Sequence, residues 1–199
     1  MHNLETPTLK LGVFRPFDSL GQALVAAALH RQHEVSALVE DLNDLRARPG
    51  LRCKLGGLAS SIEVSEAVTG LDVVFAMLGD QPPQQLPPQC GALIDGALRA
   101  GMPRLFLVGH WQWLVAPQDA ADERLGAGLA RSLEVSGLNW TLVEAPDLIE
   151  GLRIDDFSRA AAPMDKASQQ ALSCAEALLD EVRLGLHSRQ CLRLREAGR

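Results

Sequence analysis

Tyrosine is absent from the 199-residue chain, and aromatic residues make up only 4% of it. Any acid–base chemistry must therefore use another proton donor. The four cysteines, Cys53, Cys90, Cys174 and Cys191, lie far apart. They form no Cys-x-x-Cys pair, and no histidines cluster at a metal-ligand spacing, so we predict no metal site. Buried thiols in a reducing compartment are the role we expect for these cysteines.

An excess of basic charge is also missing. The formal net charge is −6, which argues against nucleic acid and anionic membranes as general partners. The basic run of Arg189, Arg193, Arg195 and Arg199 is interleaved with apolar residues and predicts a strand with a solvated face. No basic segment followed by an apolar run marks the N-terminus, and no apolar stretch approaches the ~20 residues that span a bilayer. We therefore expect a cytoplasmic protein without a membrane partner.

Glycine is scarce where the first predicted strand passes into the first predicted helix. Gly12, in the strand, and Gly21, in the helix, are the nearest glycines. A dinucleotide-binding turn needs glycines because the pyrophosphate approaches bare backbone at the helix N-terminus. Here Arg15 and Asp18 stand at the positions of the first two glycines. The Asp18 carboxylate would compete with a phosphate for the positive end of the helix.

Hydrophobic residues make up 47% of the chain, which is enough for a sizeable core in one domain over residues 1–199. Strand-like apolar runs alternate with helical segments along the whole length. This alternation predicts a Rossmann-like α/β fold, a doubly wound parallel sheet in a three-layer αβα arrangement. The predicted strands are 8–14, 34–39, 51–55, 72–78, 104–108, 139–143 and 190–194, and the predicted helices are 19–31, 60–68, 90–100, 118–136 and 166–183.

The sequence also predicts where two helices begin and what form the connecting segments take. Capping boxes at Ser19–Gln22 and Ser60–Glu63 predict where two helices begin. A short helix is predicted over 42–48, and residues 79–89, with four prolines and four glutamines, are predicted to form a loop. Residues 148–164 are predicted to be irregular, with a short strand near 152–157.

Two tryptophans follow the fifth predicted strand, in an aromatic loop over 109–113. Three roles are open for Trp111 and Trp113: they line a site for a flat ligand, contact a partner chain or belong to the core. Trp140 lies on the sixth predicted strand and is expected beneath a helix layer.

Several short segments, taken in order, carry a family resemblance: Val13-Phe14, Gly21, Gln32–Val39, Gly56, Leu78-Gly79, Ala100–Leu105 and Ser136–Val143. The chain resembles the NAD(P)-binding, NmrA-like branch of the atypical short-chain dehydrogenases. That branch includes flavin and biliverdin reductases and sugar-epimerase-like proteins. The resemblance covers nearly the whole chain and implies a dinucleotide, NAD or NADP, lying across the strand tips.

This chain departs from the family pattern at the positions that would bind the cofactor or carry the reaction. The family's turn, Gly-Ala-Thr-Gly-x-x-Gly, aligns with Arg15–Gly21 and keeps only the last glycine. Glu40 stands where the family often has an arginine for the NADP 2′-phosphate, and an acidic residue there favours a ribose hydroxyl. His110 replaces a serine, and Glu144 replaces an arginine. The Tyr-x-x-x-Lys pair of ordinary short-chain dehydrogenases cannot exist here.

The resemblance implies a set of site residues. The candidate cofactor-binding positions are Phe14, Arg15, Ser19, Leu20, Gly21, Glu40, Leu78 and Gly79. His110 is the candidate catalytic residue, because a histidine beside the nicotinamide can donate a proton. The alternatives are a turn that satisfies itself and binds no dinucleotide, a solvated Glu40, and an ordinary hydrogen-bonded His110. The sequence identifies no carboxylate that would orient His110.

Three functional readings follow from these residues. The altered turn favours a non-catalytic or regulatory member of the family with impaired dinucleotide binding, acting through a protein partner and using no cofactor. The alternative is an NAD(P)H-dependent reductase or epimerase-like oxidoreductase with a rebuilt phosphate turn. The third is a cleft that takes a smaller or neutral ligand at the strand tips.

Overall fold

Strands and helices alternate along the chain in the computed structural model, which describes residues 7–46, 48–79, 81–148, 150–157 and 164–194. The strands are β1 (Lys10–Phe14), β2 (Glu34–Val39), β3 (Leu51–Leu55), β4 (Val73–Met77), β5 (Leu105–Gly109), β6 (Trp140–Glu144) and β7 (Gln190–Arg193). The helices are α1 (Ser19–His30), α2 (Ser61–Val68), α3 (Leu86–Ala100), α4 (Gln112–Val115), α5 (Ala120–Ser136) and α6 (Lys166–Leu184). Within these ranges, no helix has the length and apolar character needed to cross a bilayer.

The strands form one parallel sheet in the order β3-β2-β1-β4-β5-β6-β7. β1 lies between β2 and β4, so that Val13 pairs with Ala37 on one side and with Phe75 on the other. From β1 the chain proceeds to β2, and from β4 it proceeds to β5 in the opposite direction across the sheet. The predicted doubly wound, Rossmann-like α/β fold is confirmed.

The core consists of two apolar layers, one on each face of the sheet. Strand residues alternate between the layers because successive side chains of a strand point to opposite faces. In β4, Val73, Phe75 and Met77 pack in the layer with α1 and α6, whereas Val74 and Ala76 pack in the layer with α2, α3 and α5. All five β4 residues are buried, which explains the continuous apolar run in this part of the sequence.

The helix starts agree only partly with the predicted capping boxes. At α2, the Ser60 hydroxyl accepts a hydrogen bond from the Glu63 N–H at 3.3 Å, as predicted. At α1, the cap is Asp18 and not Ser19: an Asp18 carboxylate oxygen accepts the Gly21 N–H at 2.6 Å. Ser19 is the first residue of the helix, and its hydroxyl accepts the N–H of Leu152 at 3.2 Å.

The predicted helix over 42–48 is wrong for the described part of that segment, which leaves out residue 47. An Asp41 carboxylate oxygen accepts the Asn43 N–H at 2.8 Å, and the Asp44 N–H bonds to the Asp41 carbonyl at 3.1 Å. An aspartate side chain that bonds to the backbone two residues on stabilises a turn in competition with a helix.

Two further connections also differ from expectation. The predicted loop over 79–89 contains a 3₁₀ turn, Pro83–Gln85, and the first residues of α3. Prolines are tolerated in the first turn of a helix because the N–H groups there need no helical partner. The segment predicted as a strand near 152–157 instead ends in a 3₁₀ turn, Ile154–Phe157, that packs on α1. Residues 158–163 of the predicted irregular segment lie outside the described residues.

The four cysteines are free thiols in different environments. Cys90 and Cys174 are buried, and Cys53 is partly buried, as expected. Burial raises the pKa of the Cys90 thiol to about 12, so this side chain is inert at neutral pH. Cys191 is exposed on the edge strand β7, so the expectation of a buried thiol is wrong at this position.

Gly21 lies where the β1–α1 turn packs against its own helix. A Cβ at this position would lie 2.8 Å from the Pro16 Cα and 3.0 Å from an Asp18 carboxylate oxygen. We expect Gly21→Ala to lower the free energy of unfolding by about 1–3 kcal/mol, because overpacking forces the backbone to shift. Urea denaturation followed by circular dichroism measures this loss.

The matched control is the same substitution at Gly128, on the exposed side of α5, where a new Cβ would meet nothing within 4 Å. Gly128→Ala should raise the free energy of unfolding by about 0.5–1 kcal/mol, because glycine is disfavoured inside a helix. Equal changes of the same sign in both variants would contradict the close packing at Gly21.

Candidate functional site

The carboxyl ends of β1, β4, β5 and β6 meet a cleft of about 200 Å³. The cleft lies where the strand order reverses between β1 and β4, which is where open parallel sheets place their ligands. The lining residues come from the start of α1 and from the segments after β4, β5 and β6: Asp18, Ser19, Leu20, Gly79, His110, Ala145, Pro146, Asp147, Leu148 and Glu150.

The β1–α1 turn keeps an unusual backbone conformation without its glycine. Arg15 has a φ of +51°, in the left-handed region that glycine adopts most easily. Its N–H bonds to the Leu38 carbonyl at 3.0 Å. One guanidinium nitrogen of Arg15 lies 4.0 Å from a Glu40 carboxylate oxygen. The arginine that could attract a phosphate therefore already lies beside a carboxylate.

The N-terminus of α1 is occupied by groups of the protein itself. The Asp18 carboxylate accepts the Gly21 N–H at 2.6 Å, where the partial positive charge of the helix would otherwise favour a phosphate. The Gln22 side chain donates to the Pro16 carbonyl and accepts the Ile154 N–H at 3.1 Å. The bonds from the Leu152 N–H to Ser19 and from the Ile154 N–H to Gln22 hold the segment after β6 against the start of α1.

The candidate positions fall into three groups in the structure. Four of them, Ser19, Leu20, Gly79 and His110, line the cleft together. Glu40 lines a separate hollow of about 560 Å³ at the ends of β2 and β3, and Arg15 lies near it. The remaining three, Phe14, Gly21 and Leu78, are buried, with the side chains of Phe14 and Leu78 in the core.

His110 has a carboxylate neighbour that the sequence analysis did not identify. One Glu144 carboxylate oxygen lies 3.7 Å from His110 Nδ1. The other accepts the Trp111 N–H at 2.8 Å, which fixes the carboxylate in place. His110 follows β5, and Glu144 ends the adjacent strand β6, paired with Gly109. A parallel pairing of the fifth and sixth predicted strands is the signal that would have brought these two residues together.

The tryptophans after β5 belong to the core and do not line the cleft. Trp111 is 1% exposed and donates its indole N–H to the Leu107 and Val143 carbonyls at 3.2 and 3.1 Å. Trp113 is also buried and donates to the His110 carbonyl at 3.0 Å. The structure thus supports the core alternative, and the predicted aromatic loop instead contains the start of α4. Trp140 is buried in the same layer as α5, as expected.

The residues that line the cleft do not fit a pyrophosphate. Three of them, Asp18, Asp147 and Glu150, are acidic, and Glu144 lies beside His110. No lysine or arginine contributes to the lining in the described ranges. A doubly negative pyrophosphate would therefore meet like charges and would find the Gly21 N–H already bonded. Likewise, no group of three or more metal-ligating side chains is found among the described residues.

The sheet order and the position of the cleft define a dinucleotide-binding class of fold. The chain belongs to the NAD(P)H-binding family, whose model matches residues 19–176. This match begins at Ser19, directly after the altered turn. No curated protein matches the chain.

Solved structures support the fold assignment. The chain is similar to a Burkholderia pseudomallei protein named as exported, with 25% identity, 94% of this chain and 98% of that chain covered, and a TM-score of 0.66. A Streptococcus pneumoniae protein named as an NADH-flavin reductase shares 23% identity over 94% and 99% of the two chains, with a TM-score of 0.64. A short-chain dehydrogenase/reductase from Veillonella parvula, solved with NADP, shares 13% over 96% of each chain, with a TM-score of 0.66.

The buried tryptophans lead to a spectroscopic prediction. All three are at most 8% exposed, so we expect a blue-shifted emission maximum and weak quenching by acrylamide in the folded protein. Unfolding in urea should shift the emission maximum to longer wavelength and increase quenching by acrylamide. Trp111→Phe should leave the folded spectrum blue, because Trp113 and Trp140 are also buried. A red, readily quenched spectrum of the folded chain would contradict this placement.

Proposed function

We propose that this chain is a non-catalytic, regulatory member of the NAD(P)H-binding family, of the NmrA-like kind, with impaired dinucleotide binding. The observation that carries the proposal is the Asp18 carboxylate at the N-terminus of α1, bonded to the Gly21 N–H at 2.6 Å. In a dinucleotide-binding member this N–H region would receive a phosphate. Here the Asp18 carboxylate, which is part of the chain, occupies the position that the phosphate would take.

The surrounding charges support the same reading. Glu40 stands at the end of β2, where a 2′-phosphate would lie, and its hollow also includes Glu63 and Glu66. The one lysine in that hollow, Lys54, donates to the backbone carbonyls of Glu66 and Ala67 at 2.7 and 2.9 Å. Two of the three N–H donors of the Lys54 ammonium group are therefore already bonded at the end of α2.

A regulatory role also fits the surface around the former cofactor site. Phe17, Leu42 and Leu55, near the carboxyl edge of the sheet, are each between 45% and 59% exposed. Exposed apolar side chains of this size suit contact with another protein. In this proposal the protein acts in the cytoplasm through a protein partner, and it binds neither nucleic acid nor membrane.

Calorimetry with NADH, NADPH, NAD and NADP tests the proposal. We expect dissociation constants weaker than roughly 100 μM for all four, since the lost phosphate contacts would supply several kcal/mol. A low-micromolar constant for any of them would show that the turn accepts a dinucleotide after all.

Restoring the turn should restore part of the affinity. The Arg15→Gly, Asp18→Gly double variant is expected to bind NADH at least tenfold more tightly than the parent chain. Glycine accepts the left-handed conformation at position 15, and as a cap it costs only a few tenths of a kcal/mol. Asp119→Gly is the matched control, because Asp119 caps α5 in the same way, away from the cleft. Equal affinities in both variants would speak against the Asp18 carboxylate as the obstacle.

The second candidate is an NAD(P)H-dependent reductase or epimerase-like oxidoreductase. It is favoured by His110 Nδ1 at 3.7 Å from the Glu144 carboxylate, since a carboxylate beside a histidine orients the ring for proton transfer. The half-exposed His110 lines the cleft and would serve as proton donor in place of the missing tyrosine.

If NAD(P)H-dependent turnover of a flavin or quinone is found, His110→Ala should reduce kcat at least 100-fold, the scale of general acid–base catalysis. Glu144→Gln should reduce it less, because His110 itself remains and the glutamine oxygen can still accept the Trp111 N–H. The control is His30→Ala, at an exposed position at the end of α1. Unchanged turnover in His110→Ala would remove this residue from the mechanism and with it the support for the second candidate.

A further inference from the structure

The hollow at the carboxyl ends of β2 and β3, which we call the edge hollow, has apolar walls. Its volume is about 560 Å³, and it lies at one side of the sheet because β3 is the outermost strand. Val39, Leu55 and Ala67 supply apolar lining. Leu55 is 59% exposed, so this large side chain is left uncovered by the rest of the chain. Covering such a side chain with an apolar group of a partner is favourable.

Three glutamates line the same hollow: Glu40 follows β2, and Glu63 and Glu66 lie on α2. A Cβ at Gly57 would lie 2.9 Å from a Glu63 carboxylate oxygen, so this carboxylate lies close to bare backbone just after β3. Glu63 and Glu66 are both exposed, and neither forms an ion pair within the described ranges. Their charges are therefore available to a cation from outside.

Two cations near the edge hollow offset only part of this negative charge. Lys54 lines the hollow and donates to the backbone carbonyls of Glu66 and Ala67 at 2.7 and 2.9 Å. These carbonyls lie at the C-terminal end of α2, where the helix carries a partial negative charge of its own. Arg15 lies 4.0 Å from Glu40, on the β2 side of the hollow. The lining thus holds three carboxylates and one ammonium group, and the two carboxylates on α2 keep their charge unpaired.

We propose that the edge hollow docks a basic segment of a partner protein, in which an apolar side chain stands next to arginine or lysine. Charge complementarity selects this occupant: the cationic group meets the carboxylates of Glu63 and Glu66, and the apolar side chain covers Leu55. Long basic side chains also bury their aliphatic stems along apolar walls while the charge stays in water. Arginine fits best, because its guanidinium binds a carboxylate with two parallel N–H bonds.

This inference rests on the proposed function, because a dinucleotide bound across the strand tips would compete with the partner for the end of β2. It adds the chemistry of the partner and the place where it docks. An acidic or wholly apolar partner segment would find no complementary charge in the edge hollow.

Fluorescence anisotropy with short labelled peptides and the full chain at pH 7 tests the proposal. The probe alternates leucine with arginine. One control peptide carries citrulline, which has nearly the same shape as arginine and no charge, and the other carries glycine in place of leucine. We expect the probe to bind at least tenfold more tightly than either control, at an ionic strength of about 0.15 M. Equal affinity for the probe and either control, or no binding of the probe, would overturn the proposal.

A matched pair of charge variants locates the binding. The Glu63→Gln, Glu66→Gln double variant removes two charges from α2 and should weaken the leucine–arginine probe at least threefold. The Glu123→Gln, Glu134→Gln variant removes the same net charge from exposed positions on α5 and should leave the affinity unchanged. The same weakening in both would show a general attraction to an acidic protein and would overturn the assignment to the edge hollow.

A second pair tests the apolar wall. Leu55→Ala should weaken the probe at least threefold, whereas Val135→Ala, at a 77% exposed position on α5, should not. Circular dichroism confirms that each variant is folded. Full affinity in Leu55→Ala would remove this side chain from the docking surface and would overturn the proposed partner chemistry.

Calorimetry with NADH separates this inference from the proposed function. Weak NADH binding together with equal affinity for probe and control peptides would overturn the docking site and leave the proposed function standing. Low-micromolar NADH binding together with a retained preference for the probe would contradict the proposed function and leave the docking site standing.

Discussion

The amino end of α1 carries a partial positive charge and unbonded N–H groups that some acceptor has to satisfy. In this chain the acceptor is the Asp18 side chain, which holds the Gly21 N–H at 2.6 Å. The same helix start also holds the segment after β6, through Ser19 and Gln22. The helix start therefore finds its hydrogen-bond partners within the chain itself. The cleft beside it is acidic in part because Asp18 is one of its lining residues. A phosphate would have to displace a carboxylate that cannot diffuse away.

Much of this fold is readable from the sequence because its signals are local or periodic. The apolar run of β4 is continuous since both of its faces are covered, and Ser60 caps α2 with a side chain three residues from its partner. The errors have equally specific causes. Asp41 stabilises a turn where the pattern indicates a helix, and proline-rich residues that resemble a loop fit the first turn of α3.

The candidate site was less accessible to prediction, because its geometry depends on pairing between distant strands. His110 and Glu144 meet only because β5 and β6 are parallel neighbours in a fixed register. Trp111 lies in the core because its indole N–H bonds to carbonyls of two different strands, β5 and β6. No spacing in the sequence encodes these contacts. A family pattern gives the positions of a cleft, but whether a side chain points into that cleft or into the core is decided by packing.

Parallel strands gather functional groups at both of their ends. The carboxyl ends surround the cleft where folds of this class place their ligands, and in this chain three acidic side chains line that cleft. The amino ends collect the residues just before each strand, and five of these residues line one pocket of about 500 Å³. Arg104 lies among them and donates to Asn139, Thr141 and the Leu186 carbonyl, so that it connects the start of β5 with β6 and with the segment after α6. The two edges of one sheet therefore differ in charge, because three acidic side chains line the cleft at the carboxyl ends and three arginines line the pocket at the amino ends.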